Sequence, residues 1–93
     1  MITANLQTAI VAHLRNCGAK KIRVFGLRAM GVETPNSDLD LLVEFTRSLS
    51  LIKLIKIERE LSEQLGIHVD LLTEGALSPF LKDKINREAV TIL

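Results

Sequence analysis

Two aspartates, Asp38 and Asp40, open the segment Ser37-Asp38-Leu39-Asp40-Leu41-Leu42-Val43-Glu44-Phe45. Strand side chains alternate between faces, so both carboxylates point one way. Leu39, Leu41, Val43 and Phe45 point the other way, into a core. Two carboxylates crowded on one face repel each other unless something positive sits between them. A divalent cation carrying a nucleoside triphosphate meets that need, because hard cations take oxygen ligands. From this pair alone, a solvated strand face accounts for the pattern equally well. Asp70 tips the balance. It lies in Val69-Asp70-Leu71-Leu72, where apolar neighbours predict burial and a need for a cation or a donor. If the strand beginning at Val69 lies beside the one beginning at Asp38, three carboxylates converge. That arrangement suits two magnesium ions clamping an in-line phosphoryl displacement.

Just upstream runs Phe25-Gly26-Leu27-Arg28-Ala29-Met30-Gly31. Glycines let backbone N–H groups approach phosphate oxygens and form an anion nest. A plain tight turn is the simpler account of two glycines. Arg28, inside the turn, could contact a triphosphate or be solvated. His68 shares a strand face with Asp70 and could reach a metal or orient Asp70. With no second histidine at ligand spacing, an ordinary surface role is the expectation. His13, beside the first helix stripe, is expected to pack or lie at the surface, and Cys17 to be a small buried or half-buried side chain, since nothing near it forms a nucleophile–base pair. Glu44 lies on the face of Asp38 and Asp40 but farther along. Lys20-Lys21 and the charges from Lys56 to Glu63 read as solvated faces.

The elements that must carry these residues are legible from periodicity. Residues 3–16 read as a helix with stripe Leu6, Ile10 and Leu14, capped by Thr3 and ended by Gly18. Lys21 to Phe25 reads as a short strand. Gly26 to Gly31 is a turn running into one helical turn. Residues 32–37 form a loop punctuated by Pro35-Asn36. Leu39 to Phe45 is the clearest strand. Ser50 to Leu65 is a helix closed by Gly66, with core stripe Leu51, Leu54, Ile55, Leu61 and Leu65. Ile52 and Ile57 fall off that stripe, so its first turns are apolar on more than one side. Ile67 to Leu72 is a third strand, and Ser78-Pro79 starts a helix to about Arg87. Val90 to Leu93 is extended. The order predicts an α+β fold, a small mixed sheet with helices packed mainly on one face.

Composition bounds the function. Ninety-three residues form one domain, 1–93, and with aromatics at 3% the core must be aliphatic. No apolar run approaches the ~20 residues of a membrane helix. The start lacks a secretory pattern, and the one cysteine excludes an internal disulfide, so a reducing cytoplasm is expected. A net charge of +1 argues against gripping extended nucleic acid and for a small substrate or a protein partner.

The glycine turn, the Ser37-Asp38-Leu39-Asp40-Leu41 run, Val69-Asp70-Leu71-Leu72-Thr73 and the stretch from Ala76 to Val90 together resemble the minimal nucleotidyltransferases of the DNA polymerase beta superfamily. Within that group the chain is similar to antitoxins that pair with HEPN-domain toxins. The resemblance covers nearly the whole chain and implies a polymerase-beta-like palm using Mg²⁺ and ATP. It implies that Asp38 and Asp40 bind metal, and that Asp70 is the third carboxylate, acting on the attacking hydroxyl and available to the metal. Gly26, Leu27, Arg28 and Ser37 stand at the nucleotide-contacting positions. Family members can attach AMP to a tyrosine of the partner toxin. The chain departs from the pattern at two positions: Leu27 stands where the family has serine, and Met30 where arginine is common. Two readings follow. One is a nucleotidyltransferase whose acceptor is a HEPN-type toxin. The other is an antitoxin that neutralises its partner by binding alone. The chain length leads to the expectation that a partner completes the site. The apolar excess on the 50–65 helix fits a partner interface or a homo-oligomer. Small-molecule nucleotidylation ranks below both.

Overall fold

The chain was analysed as a computed structural model describing residues 3–32, 34 and 36–93, without the side chains of Leu27 and Ala76. The turn expected at Pro35 and the Leu27 side chain lie outside what is described. Helix α1 (Ala4–Asn16) leads into strand β1 (Ala19–Phe25), one helical turn α2 (Leu27–Met30) and strand β2 (Leu39–Phe45). Helix α3 (Leu51–Leu65), strand β3 (Val69–Leu72), helix α4 (Pro79–Glu88) and a short β4 (Val90–Thr91) follow.

Local chemistry sets the boundaries. Thr3, Ser50 and Ser78 each accept a backbone N–H with the side chain at a helix start, and Pro79 takes the first helical position of α4. Gly66 ends α3 in the left-handed region at φ +70° and donates its N–H to the Ser62 carbonyl, a conformation a β-carbon disfavours.

Among the described residues, four strands form one sheet in the order β3-β2-β1-β4. β1 runs antiparallel to both β2 and β4, and β2 runs parallel to β3. The parallel pair needs a crossover, which α3 supplies. Ile22 and Val24 of β1, Leu39, Leu41 and Val43 of β2, and Val69 and Leu71 of β3 turn one face inward. Ile10 and Leu14 of α1 and Ile57 and Leu61 of α3 cover it. The expected mixed sheet with helices mainly on one face is what forms. On the opposite face, Arg23 donates to Glu74 Oε1 and to Asn86 Oδ1 of α4, both at 3.0 Å.

The core stripe expected for α3 needs correction. Leu51 is 72% exposed and Ile55 54%, whereas Ile57, expected off the stripe, is buried. The inward face is Leu54, Ile57, Leu61 and Leu65. The cause is polar. Ser62 Oγ accepts the Val69 N–H at 3.0 Å, and Glu58 Oε2 accepts the Leu71 N–H at 2.8 Å. These bonds satisfy the outer edge of β3. They fix the rotation of α3 so that Ile57, rather than Ile55, meets the sheet.

This rotation predicts a difference between two truncations. Ile57→Ala should lower unfolding free energy in a urea titration by about 2–5 kcal/mol. Leu51→Ala should change it by less than about 0.5 kcal/mol. Equal losses would mean that α3 faces the sheet differently.

Candidate active site

The parallel register places Asp40 beside Asp70, and Leu39 beside Val69. Leu39 N–H donates to the His68 carbonyl at 2.8 Å, which carries the same pairing one step back to Asp38 and His68. Because β1 is antiparallel to β2, Phe25 lies opposite Asp40. The Gly26 turn therefore arrives at the same end of the sheet. Three separate segments thus deliver their polar residues to one place.

Asp38, Asp40 and Asp70 do converge, as the sequence predicts. The expected burial of Asp70 does not hold: its side chain is 44% exposed. It sits on the open face of β3, and the apolar neighbours Val69 and Leu71 face the core instead. His68 Nδ1 lies 3.4 Å from Asp38 Oδ1 and 3.8 Å from Asp70 Oδ1. The surface role expected for His68 therefore misses its place in the cluster. The signal was its position two residues before Asp70, on the same strand face.

Asp40 is the most constrained of the three. Partial burial pushes its carboxyl from 3.8 up to about 6, helped by the Asp70 charge, a hydrogen bond to Asp70 and the Asp38 charge, while His68 pulls it down. Gly26, at φ +75°, lies directly beneath it, and a β-carbon at Gly26 would collide with Asp40 Oδ2. A side chain at this position would push the Asp40 carboxylate aside as well as strain the turn.

Arg28 does not extend freely into the site. Its Nε and Nη2 donate to the Ser37 carbonyl at 3.2 and 2.9 Å. Ser37 is buried, and its Oγ accepts the Thr34 N–H at 2.8 Å. Together these bonds hold the approach to Asp38. Glu44 pairs with Lys20 at 3.2 Å, farther along β2. His13 Nδ1 meets Gln64 Oε1 at 2.9 Å, joining α1 to α3 away from the acidic cluster.

The donor set fits a divalent cation. One oxygen each from Asp38 and Asp70 and one His68 nitrogen lie within 4.8 Å of one another. Ligands about 2.1 Å from a common ion stand at most about 4.2 Å apart, so small side-chain rotations would bring these three onto one ion. Burial first, and the neighbouring Asp70 and Asp38 charges second, raise the Asp40 carboxyl, and a cation beside it would favour its charged form.

A model of the nucleotidyltransferase domain matches residues 9–92. The chain belongs to the nucleotidyltransferase domain family. A Methanocaldococcus jannaschii protein provisionally named a protein adenylyltransferase is 40% identical over 88 residues, spanning 95% of each chain. Protein adenylyltransferase MntA of Thermococcus cleftensis is 32% identical over 91 residues, covering 94% of this chain and 92% of its own. Both relatives are named as protein adenylyltransferases, and the resemblance to minimal nucleotidyltransferases read from the sequence is borne out. The fold matches a toxin–antitoxin structure with AMP-PNP at a TM-score of 0.86 and 24% identity, covering 94% of this chain and 72% of that one. It also matches a complex of tri-AMPylated Shewanella oneidensis HEPN toxin with MNT antitoxin, with a TM-score of 0.78, 20% identity and coverage of 96% and 70%. Among the described residues, no helix of this nucleotidyltransferase domain is long and apolar enough to cross a membrane.

The raised Asp40 carboxyl has a sign that can be checked without substrate. An acid raised by folding favours the native state most below its unfolded value of 3.8, and that contribution is lost as pH rises through about 6. In metal-free buffer, Asp40→Asn should therefore melt several degrees above the wild type at pH 7.5. The gap should shrink as pH falls from 6 towards 4, read by thermal denaturation. A gap that stays constant with pH would mean that Asp40 titrates normally.

Proposed function

We propose that this chain is a metal-dependent protein adenylyltransferase that moves AMP from ATP to a hydroxyl, a tyrosine's, on a HEPN-type toxin. The observation that carries the reading is the side-by-side register of Asp40 and Asp70, with Asp38 at the same sheet end as the Gly26 turn. Asp38, Asp40 and Asp70 would hold Mg²⁺, which when bound would offset charge on the triphosphate oxygens. Asp70, half exposed at the rim, is placed to accept the proton of an incoming hydroxyl. The hydroxyl oxygen bonds to the α-phosphorus, and the bond from that phosphorus to pyrophosphate breaks. The products are an AMP ester and pyrophosphate. The Gly26 and Leu27 backbone, Arg28 and Ser37 would line the nucleotide. The relatives named as adenylyltransferases and the AMP-PNP and AMPylated-toxin neighbours support this reading.

Specific features favour a second reading, neutralisation by binding alone. Leu27 supplies no side-chain donor for a phosphate, Met30 supplies no charge, and Arg28 already holds the Ser37 carbonyl. An apolar patch on α3, Leu51, Ile52 and Ile55, offers a surface for a protein partner or a second copy.

Intact mass of a co-expressed HEPN toxin, incubated with this chain, Mg²⁺ and ATP, separates the two. Steps of one or more AMP units, absent with Asp38→Asn, are expected. In the same assay Leu27→Ser should raise the rate by about 10²-fold, the scale of one transition-state donor. A tight complex with an unmodified toxin would establish neutralisation without chemistry.

A further inference from the structure

His68 changes the chemistry of this cluster, and the three carboxylates alone do not account for it. On the open face, β2 and β3 form a grid of two rows: Asp38 beside His68, and Asp40 beside Asp70. His68 contributes the only nitrogen among the described donors there. Its Nδ1 lies 3.4 Å from one carboxylate oxygen and 3.8 Å from another. Ligands about 2.1 Å from one ion stand about 3.0 Å apart at right angles and about 4.2 Å apart across it. Both His68 separations fall inside that range, and the Asp38 and Asp70 oxygens lie within 4.8 Å of each other, so side-chain rotation alone can close the third. The strand pairing holds the backbone, and the Ser62 and Glu58 bonds to Val69 and Leu71 keep β3 in register.

Magnesium prefers oxygen ligands and keeps much of its water, whereas imidazole suits the later divalent metals. We propose that Asp38, His68 and Asp70 form a mixed nitrogen–oxygen site that selects a transition-metal dication, manganese included, over magnesium. This rests on the reading of Asp38 and Asp70 as metal-facing carboxylates and adds to it a directly bound imidazole. His68 is 62% exposed, so replacing it removes the ligand without opening the core.

The test uses the full chain, metal-free at pH 7.5, with Mn²⁺ as the probe. Zinc is the poorer first probe, because the Cys17 thiol would compete for it. Pulsed electron paramagnetic resonance of bound Mn²⁺ should show nitrogen hyperfine coupling from a ligated imidazole. His68→Asn should abolish that coupling and weaken Mn²⁺ binding at least about tenfold, a scale known from lesser changes around bound metals. Competition by Mg²⁺ should then improve by the same factor, since the carboxylates remain. Nitrogen coupling that is absent from the wild type, or a manganese-to-magnesium preference unchanged in His68→Asn, would overturn the proposal. Asp38→Asn distinguishes that failure from a deeper one. If it abolishes binding while His68→Asn does nothing, the carboxylate reading stands and the imidazole site falls. If Mn²⁺ binds equally to all three proteins, both fall.

Discussion

The parallel pairing of β2 with β3 obliges two carboxylates to lie side by side. Asp40 faces Asp70 across one rung, and no shift of side-chain rotamers can part residues that the backbone ladder holds together. Like charges at that spacing are unfavourable, and they add to the partial burial that raises the Asp40 carboxyl. The cluster is thus a place where the fold holds charge against its own preference. Strain of that kind persists only where the surroundings over-determine it.

Those surroundings can be named. The aliphatic residues between the aspartates, Leu39, Leu41, Val69 and Leu71, are buried against α1 and α3. A slip of one residue in either strand would turn them to solvent, so hydrophobic burial locks the register that crowds the carboxylates. At the outer edge, Ser62 and Glu58 accept the N–H groups of Val69 and Leu71. On the other side, β1, itself paired with β4, braces β2, and Arg23 ties the sheet to α4 and Glu74. The apolar energy of the core thereby positions the polar end of the sheet.

Much of this was legible in the sequence because it depends on period two. The alternation from Asp38 to Phe45 gave the strand, its inward face and its acidic face. Capping residues gave the helix starts. What was not legible depended on contacts between elements distant in the chain. Val69 and Leu71 suggested a buried Asp70, but alternation sends them inward and leaves Asp70 open. The apolar first turns of α3 made Leu51 and Ile55 look like core. Only the hydrogen bonds from Glu58 and Ser62 to β3 decide which way the helix turns. The partnership of His68 with Asp38 joins residues thirty apart and requires the parallel register, which no single segment encodes.

The glycine turn shows how one residue can be misread as support for phosphate chemistry. Gly26 keeps the left-handed conformation of the turn, and it also clears the space that Asp40 occupies. Its presence is thus explained within the fold and carries little weight of its own for a phosphate cradle. Arg28 serves the Ser37 carbonyl rather than a carboxylate. The strand register sets the rungs on which Asp40, Asp70 and His68 sit, and the turn acts on the cluster through the Arg28 bonds that hold the approach to Asp38. Whatever chemistry this site performs must rest on the carboxylates and His68, which the strand register holds in place.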